Sequence, residues 1–473
     1  MAHLKSRPAE PGSESPSDSG RPGGLVPAVG LAACSIVLPG VAHLRAGRRW
    51  TGGLLLLLYL AAAGSVTYLV MYRHALLLRL SVQPRWLTGA MYGAVLLAAL
   101  WILLVWWSYR VLRPAGMRAP GRWLGALCTL ILCAAACLPF AGASRYAYVQ
   151  RHLVTSMFDR SDGHPAAATD PFGGRSRVNI LLLGGDAGSD RWGSRTDSMT
   201  LASVDVHTGA TTMISLPRNL EHFHFAPGPA AKRFPQGYTA GPPSREGLLN
   251  EVYQYGKDHP DLVPGSHHPG ADLLKGVFQQ TLGVPVDYYA MVDMRHFADI
   301  VNAMGGVWMR VEKPIQYGLR GQVIKPGYRK LDGHAALWYG RSRTNSSDYV
   351  RMGRQKCVLA AIARQANPTT VLTKFTALAS TAEKTVSTDI PQDMLPALVQ
   401  LSGKVRHAKI RTLLFVPPKI KPWHPDWRLI REDTAKALDG ERSSPGDGHK
   451  HKDDDKPAAR SVGDVCPTPG PHG

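Results

Sequence analysis

The chain has 473 residues and a formal net charge of +20, which is more than one ordinary domain and points to a polyanionic partner such as nucleic acid, an anionic membrane surface or phosphorylated groups. Its six cysteines show no paired CxxC spacing, which excludes a zinc framework and a disulfide scaffold read from spacing. Part of the positive charge lies beside apolar segments, where it carries no substrate information.

Residues 1–24 are rich in Pro, Gly, Ser and charge and read as a disordered tail. Apolar stretches follow at about 25–44, 52–72, 89–109 and 122–143, each near the length a helix needs to cross about 30 Å of hydrocarbon. Residues 25–144 therefore read as an all-α transmembrane region of three or four helices, the first stretch being interrupted by Pro27 and Pro39. The connecting loops carry Arg45, Arg48 and Arg49, then Arg73, Arg79 and Arg85, then Arg110, Arg113, Arg118 and Arg122. The third is the most basic, so the positive-inside rule sends the fourth stretch outward. The expectation is a multi-pass protein of the cell membrane with its C-terminal body extracellular.

Residues 145–175 read as a stalk, and a globular body spans 176–420. Val178-Asn179-Ile180-Leu181-Leu182-Leu183, bounded by glycines, predicts a buried strand. Hairpin patterning follows at 199–206 and 210–216 across Thr208-Gly209. Helical patterns at 244–256, 270–282, 294–303, 351–366 and 391–405 alternate with strand-like pieces at 287–292, 307–311 and 410–415. Strands interleaved with helices predict an α/β layered domain. Residues 421–473 read as a C-terminal extension, disordered from about 438. Cys357, inside the run Cys357-Val358-Leu359-Ala360-Ala361-Ile362, reads as a buried thiol.

The most unusual stretch is 339–355, with four arginines, an aspartate and a glutamine in seventeen positions. Arg341 and Arg343, two apart on an extended segment, point the same way. A helix with Asp348 near its N-cap puts Arg351, Arg354 and Gln355 on one face. Guanidinium forks match phosphate oxygens, and a helix N-terminus adds donors and dipole. A solvated basic helix is the competing reading, but the acids it needs are scarce. Upstream, Asp186 and Asp197 fall at strand ends, as does Arg218. Two carboxylates beside phosphate-binding arginines suit Mg²⁺; the competing reading makes Asp186 a turn residue and Asp197 a partner of Arg195.

The ordered motifs NILLLGGD, RTDSM, SLPRN, NEVYQYG, DYYAMVD, MGGVW, LDGHAALWYGRSR and DYVRMGRQ together resemble the LytR-CpsA-Psr family of cell-wall glycopolymer ligases across about 178–420. The resemblance implies a central β-sheet flanked by helices with an apolar tunnel, its lipid running along the helices near 244–256 and 270–282. It also implies a Mg²⁺-dependent phosphotransferase in cell-wall assembly, with a possible pyrophosphatase side activity. Such an enzyme moves a glycan with its phosphate from a polyprenyl-pyrophosphate carrier to a peptidoglycan acceptor. Asp186 and Asp197 would then hold Mg²⁺. Arg195, Arg218, Arg341, Arg343, Arg351 and Gln355 would act on the pyrophosphate, with Asp348, Arg354, Asn250 and Tyr253 contacting or ordering the substrate.

Two positions depart from the family pattern: Asn219 replaces an acid and Leu248 replaces a lysine. They leave open a second reading, a non-catalytic polyprenyl-pyrophosphate binder or regulator of the envelope. A nucleic-acid partner is not expected: no helix-turn-helix occurs, and the basic residues surround one pocket or sit in loops.

Overall fold

The structure is a computed structural model that describes residues 25–113, 119–158, 170–186, 195–239, 247–318, 321–343, 346–365, 386–439, 460–461 and 466. The expected disordered segments, 1–24 and most of the chain beyond 439, lie outside the described residues. Contacts divide the chain into residues 1–77 with 88–148, and residues 78–87 with 149–473.

The first unit is helical. Among the described residues three helices are long and apolar enough to cross a membrane: α3 (Arg49–Tyr72), α5 (Pro84–Leu112) and α6 (Ala119–Met157). Their apolar side chains, such as Leu54, Leu57, Val95 and Leu96, are exposed, as hydrocarbon solvation requires. The first apolar stretch is not among them: α1 (Leu25–Val37) has 13 residues, about 20 Å of rise. The chain breaks at Pro39 and reverses at Gly40, whose φ is 100°, into the short α2 (Val41–Arg45). A Cβ on Gly40 would lie 2.3 Å from the Gly52 carbonyl oxygen, so only glycine permits this approach of α2 to α3. A further short helix, α4 (His74–Leu80), precedes α5. The expected stalk begins inside α6, which stays helical to Met157.

The second unit is built on β1 (Arg177–Asp186), whose apolar run is flanked on both sides within a seven-stranded sheet. It pairs antiparallel with β2 (Arg195–Asp205) and parallel with β4 (Tyr288–Asp293). Beyond β2 lie β3 (Thr211–Ser215), β10 (Ile410–Leu414) and β11 (Arg460–Ser461); beyond β4 lies β9 (Val386–Thr388). Side-chain alternation gives the sheet two apolar faces. Leu181, Leu183, Leu201 and Ile214 form one core with α8 (Val252–Asp258), α9 (Pro269–Leu282) and a C-terminal helix, Trp427–Asp439. Short α7 (Pro229–Arg233) adds to that side, where Phe223, Phe225, Phe234 and Tyr238 pack together.

The other face turns the intervening residues toward α10 (Met294–Ala303), α11 (Gly333–Arg341), α12 (Asp348–Gln365) and α13 (Leu395–Val405). Two small antiparallel ribbons extend this side: β5 (Val307–Val311) with β8 (Gly327–Leu331), and β6 (Ile315–Tyr317) with β7 (Gln322–Ile324).

Three expectations need correction. The body does not end at 420: helix α14 (Trp427–Asp439) buries Ile430 and Ala437 in the main core, and β11 extends the sheet. Arg341 ends a helix rather than sitting on an extended segment, because Asp332 caps α11 through the Ala335 N–H at 2.8 Å. Cys357 is not a thiol but is bonded to Cys466 across 109 residues of sequence. The apolar run that hid its partner is real, and Cys466 packs on the same cluster.

Candidate active site

Where β1 meets β2 the pairing slips. Gly184 pairs with Ser198 and Gly185 with Thr196, leaving Asp197 as an extra residue. Strict alternation would send Asp197 and Ser198 to opposite faces; the bulge instead lets both line one cavity. That cavity, of about 470 Å³, lies between the sheet and helices α10 to α12. Leu182, Ala290, Phe297, Trp338, Val358 and Leu359 are among its apolar lining, while Asp197, Arg341, Arg343, Arg351 and Gln355 supply its polar part. Along α12 the lining reads Arg351, Gln355, Val358, Leu359, one helix face over about 12 Å that grades from cationic to apolar.

The apolar cavity is therefore not beside 244–256 and 270–282, as expected. Those helices spend Val252, Tyr253, Leu273, Val277 and Phe278 on the core of the opposite face, so no apolar surface of theirs remains for it.

One carboxylate gathers the arginines. Asp348 Oδ2 accepts from Arg218 Nε at 3.1 Å and lies 3.7 Å from Arg351 Nη2, while its Oδ1 lies 3.3 Å from Arg343 Nε. The predicted N-cap moves by one position: Ser347 Oγ accepts the Val350 N–H at 3.3 Å, so Asp348 is the first helical residue and its side chain is released to the guanidiniums. Arg218 Nη1 also donates to Asp197 Oδ1 at 2.7 Å. Burial works against the Arg218 charge, but the hydrogen bonds and charges of Asp197 and Asp348 outweigh it and raise its pKa. Arg351 goes the other way: burial first, then Arg218 and Arg343, lower its pKa against the pull of Asp348. Its side chain is 4% exposed and its Nε has no hydrogen-bond partner. A buried guanidinium with an unused donor beside two more cations is arranged for an anion.

The remaining candidates divide. Arg354 supports the 342–346 loop, donating to Ser342 O at 2.6 Å and Ser346 Oγ at 2.7 Å. Gln355 Nε2 reaches Gly340 O at 3.3 Å, tying α12 to the end of α11. Arg195 turns to Glu251, 3.5 Å away, and not to Asp197; it does not line the cavity. Asn250 and Tyr253 are buried and do not line the cavity. Asp186 ends β1 opposite Arg195; its side chain lies outside the described residues.

Sequence reasoning missed Glu251 and Lys356. Glu251, 1% exposed, was legible only as part of NEVYQYG. Lys356 is wholly buried, its Nζ donating to Thr200 Oγ1. It shares a cavity of about 10 Å³, room for about one water, with Asp197, Arg218, Asn219, Asp348 and Arg351. Burial alone lowers its pKa to about 7.

Among the described residues no three His, Cys, Asp or Glu side chains cluster as a ready metal cage. Mg²⁺ does not demand one, since it uses one or two carboxylates with water and phosphate oxygens. Asp197 offers such a carboxylate at the cavity wall, which fits.

The LytR_cpsA_psr family model matches residues 146–417. A curated relative from Bacillus mycoides, the polyisoprenyl-teichoic acid–peptidoglycan teichoic acid transferase TagU, is 26% identical over 221 residues, 46% of this chain and 62% of the relative. The matched stretch thus spans less than two thirds of that relative's length. TagU of Halalkalibacterium halodurans is 26% identical over 251 residues, 52% of this chain and 70% of the relative. Among solved structures, B. subtilis TagV is similar at 24% identity with a TM-score of 0.41, covering 57% of this chain and 99% of TagV.

Proposed function

Because this chain belongs to the LytR-CpsA-Psr family, we propose that it is a membrane-anchored phosphotransferase acting on a polyprenyl-pyrophosphate-linked glycan, with a peptidoglycan hydroxyl as acceptor. The observation that carries this reading is the grading of one cavity wall, from Arg351 and Gln355 to Val358 and Leu359 along α12. A diphosphate on an apolar chain has the same gradient. Arg218, Arg343 and Arg351, held together by Asp348, bind the phosphates, and Arg341 closes the rim. Leu182, Ala290, Phe297 and Leu359 take the prenyl chain.

In the reaction the acceptor oxygen forms a bond to the glycan-side phosphorus while the bridging P–O bond to the lipid phosphate breaks. The acceptor proton passes to solvent or a nearby base, and polyprenyl monophosphate leaves. Negative charge grows on the leaving phosphate, so fixed guanidiniums lower the barrier more than a nucleophilic side chain would. Asp197, with Asp186 as the second candidate, would hold Mg²⁺, which when bound supplies further charge neutralisation at the phosphates. Water in place of the acceptor hydroxyl would give the pyrophosphatase side reaction.

The Cys357–Cys466 disulfide supports an extracellular body, since such bonds persist in oxidising compartments. The three long apolar helices support a multi-pass anchor. One observation favours the second reading, a non-catalytic binder: Asn219 lines the small cavity beside Asp348 and Arg351, where an acid could have oriented or deprotonated the acceptor.

The test is release of polyprenyl phosphate from a pyrophosphate-linked lipid substrate by full-length protein. Arg351→Ala should reduce release by about 10²–10³-fold while the fold is kept; undiminished release rejects the phosphotransferase. Tight lipid binding without release at any Mg²⁺ concentration selects the binder.

A further inference from the structure

The β5–β8 ribbon has one face in the core and one in solvent. Val307, Met309, Val311 and Leu331 are buried against α10 to α12. The outer face carries Trp308 and Arg310 from β5 opposite Lys330 and Tyr328 from β8. Trp308 and Tyr328 lie on one diagonal of this four-residue square and stack, with ring centroids 5.3 Å apart and planes at 20°. They remain 46% and 43% exposed. Arg310 and Lys330 occupy the other diagonal, about 7–8 Å apart at the backbone, and both are exposed. Neither makes an ion pair among the described residues. The strand beneath Trp308 is fixed, because Gln365 binds its backbone N–H and carbonyl at 2.8 and 2.7 Å.

We propose that this face is a binding platform for a phosphate-bearing glycan, the two rings stacking on sugar faces and Arg310 and Lys330 engaging the anionic groups between them. This rests on the function proposed above. Aromatic rings match the apolar faces of sugars, and alternating cations match a polymer whose apolar rings alternate with charge. A bilayer interface would also take Trp and Tyr, but the square carries no Leu, Ile, Val or Phe to enter the acyl region, so a glycan is the better match. β8 leads through Asp332 into α11, which carries Trp338 and Arg341 at the cavity. Helix α11, nine residues and about 14 Å long, runs from the end of β8 to Arg341 at the cavity. That places the platform within reach of the glycan part of a substrate whose diphosphate sits in the cavity.

Full-length protein in detergent micelles is run by affinity electrophoresis through gels containing a phosphomannan, its enzymatically dephosphorylated form, or neither. Trp308→Ala/Tyr328→Ala should weaken retardation by both glycans about tenfold. Arg310→Gln/Lys330→Gln, which removes only exposed charge, should abolish the preference for the phosphorylated form. Both double variants should release polyprenyl phosphate from a short prenyl pyrophosphate sugar within about twofold of the parent, whereas Arg351→Ala should lose release and keep retardation. Failure of the platform and failure of the phosphotransferase reading are thereby separate outcomes. Unchanged retardation in both double variants overturns the platform. So does a parent that binds a single-stranded oligonucleotide or phosphatidylglycerol vesicles more tightly than phosphomannan, with that binding lost in the variants.

Discussion

Asp348→Asn tests whether the site is a set of cations held ready by one removable counter-charge. The carboxylate contacts Arg218, Arg343 and Arg351 at 3.1, 3.3 and 3.7 Å. Asp348 is 33% exposed and Arg343 53%, so these are partly screened contacts, worth about 0.5–1 kcal/mol each. The buried Arg351 raises the total to roughly 2–3 kcal/mol, and Tm should fall by about 6 °C at ~2–4 °C per kcal/mol for a domain of this size. The same substitution removes a negative charge beside the anion site. At about 5 Å and an effective dielectric constant near 20, a unit charge contributes ~3 kcal/mol. Screening at the open mouth leaves about 1.4 kcal/mol, a tenfold gain in affinity. The variant should therefore be less stable alone yet bind geranyl pyrophosphate about tenfold more tightly, so that saturating ligand restores most of the lost Tm. Calorimetric titration and thermal unfolding, with and without geranyl pyrophosphate, measure both effects. A variant that is destabilised and also binds more weakly would refute the argument, because Asp348 would then act by shaping the site and not by balancing its charge.

Two further outcomes follow from buried groups. Cys466→Ser should destabilise the body by about 2–4 kcal/mol, given the long loop the bond closes, and reduction of the parent should reproduce the loss in denaturant unfolding; equal stability in both states would separate the C-terminal segment from the fold. Lys356 has its folded pKa lowered to about 7 by burial, so between that value and the unfolded value near 10.5 the unfolded chain binds the extra proton. Stability should then rise with pH, by about 2 kcal/mol between pH 7 and 9, and flatten below pH 7. Lys356→Met should remove this slope in urea unfolding, and a slope unchanged in the variant would assign it to another group.

Much of the architecture follows from local pattern. The apolar run of β1, the hairpin across Thr208-Gly209 and the helix at 294–303 are all present, because period and turn chemistry act over a few residues. Part of the arginine cluster was legible too: of Arg351, Arg354 and Gln355, placed on one helical face by their spacing, Arg351 and Gln355 line the cavity, while Arg354 turns to the 342–346 loop. Other features depend on pairing between distant segments. Asp197 faces the cavity only because β2 carries one more residue than β1 at Gly184 and Gly185, and nothing in RTDSM announces a bulge.

By itself the sequence determined an apolar helical region, an α/β body and a cationic site, because each is written in residue type and spacing. Only the tertiary structure decided which face of the sheet holds the cavity, that Arg195 turns to Glu251, that Cys357 meets Cys466 and that a lysine lies buried under the arginines. The physical reason is competition for one buried volume. Helices α8 and α9 carry apolar faces as α12 does, but their side chains are consumed by the core, and only packing in three dimensions reveals which surface is left over.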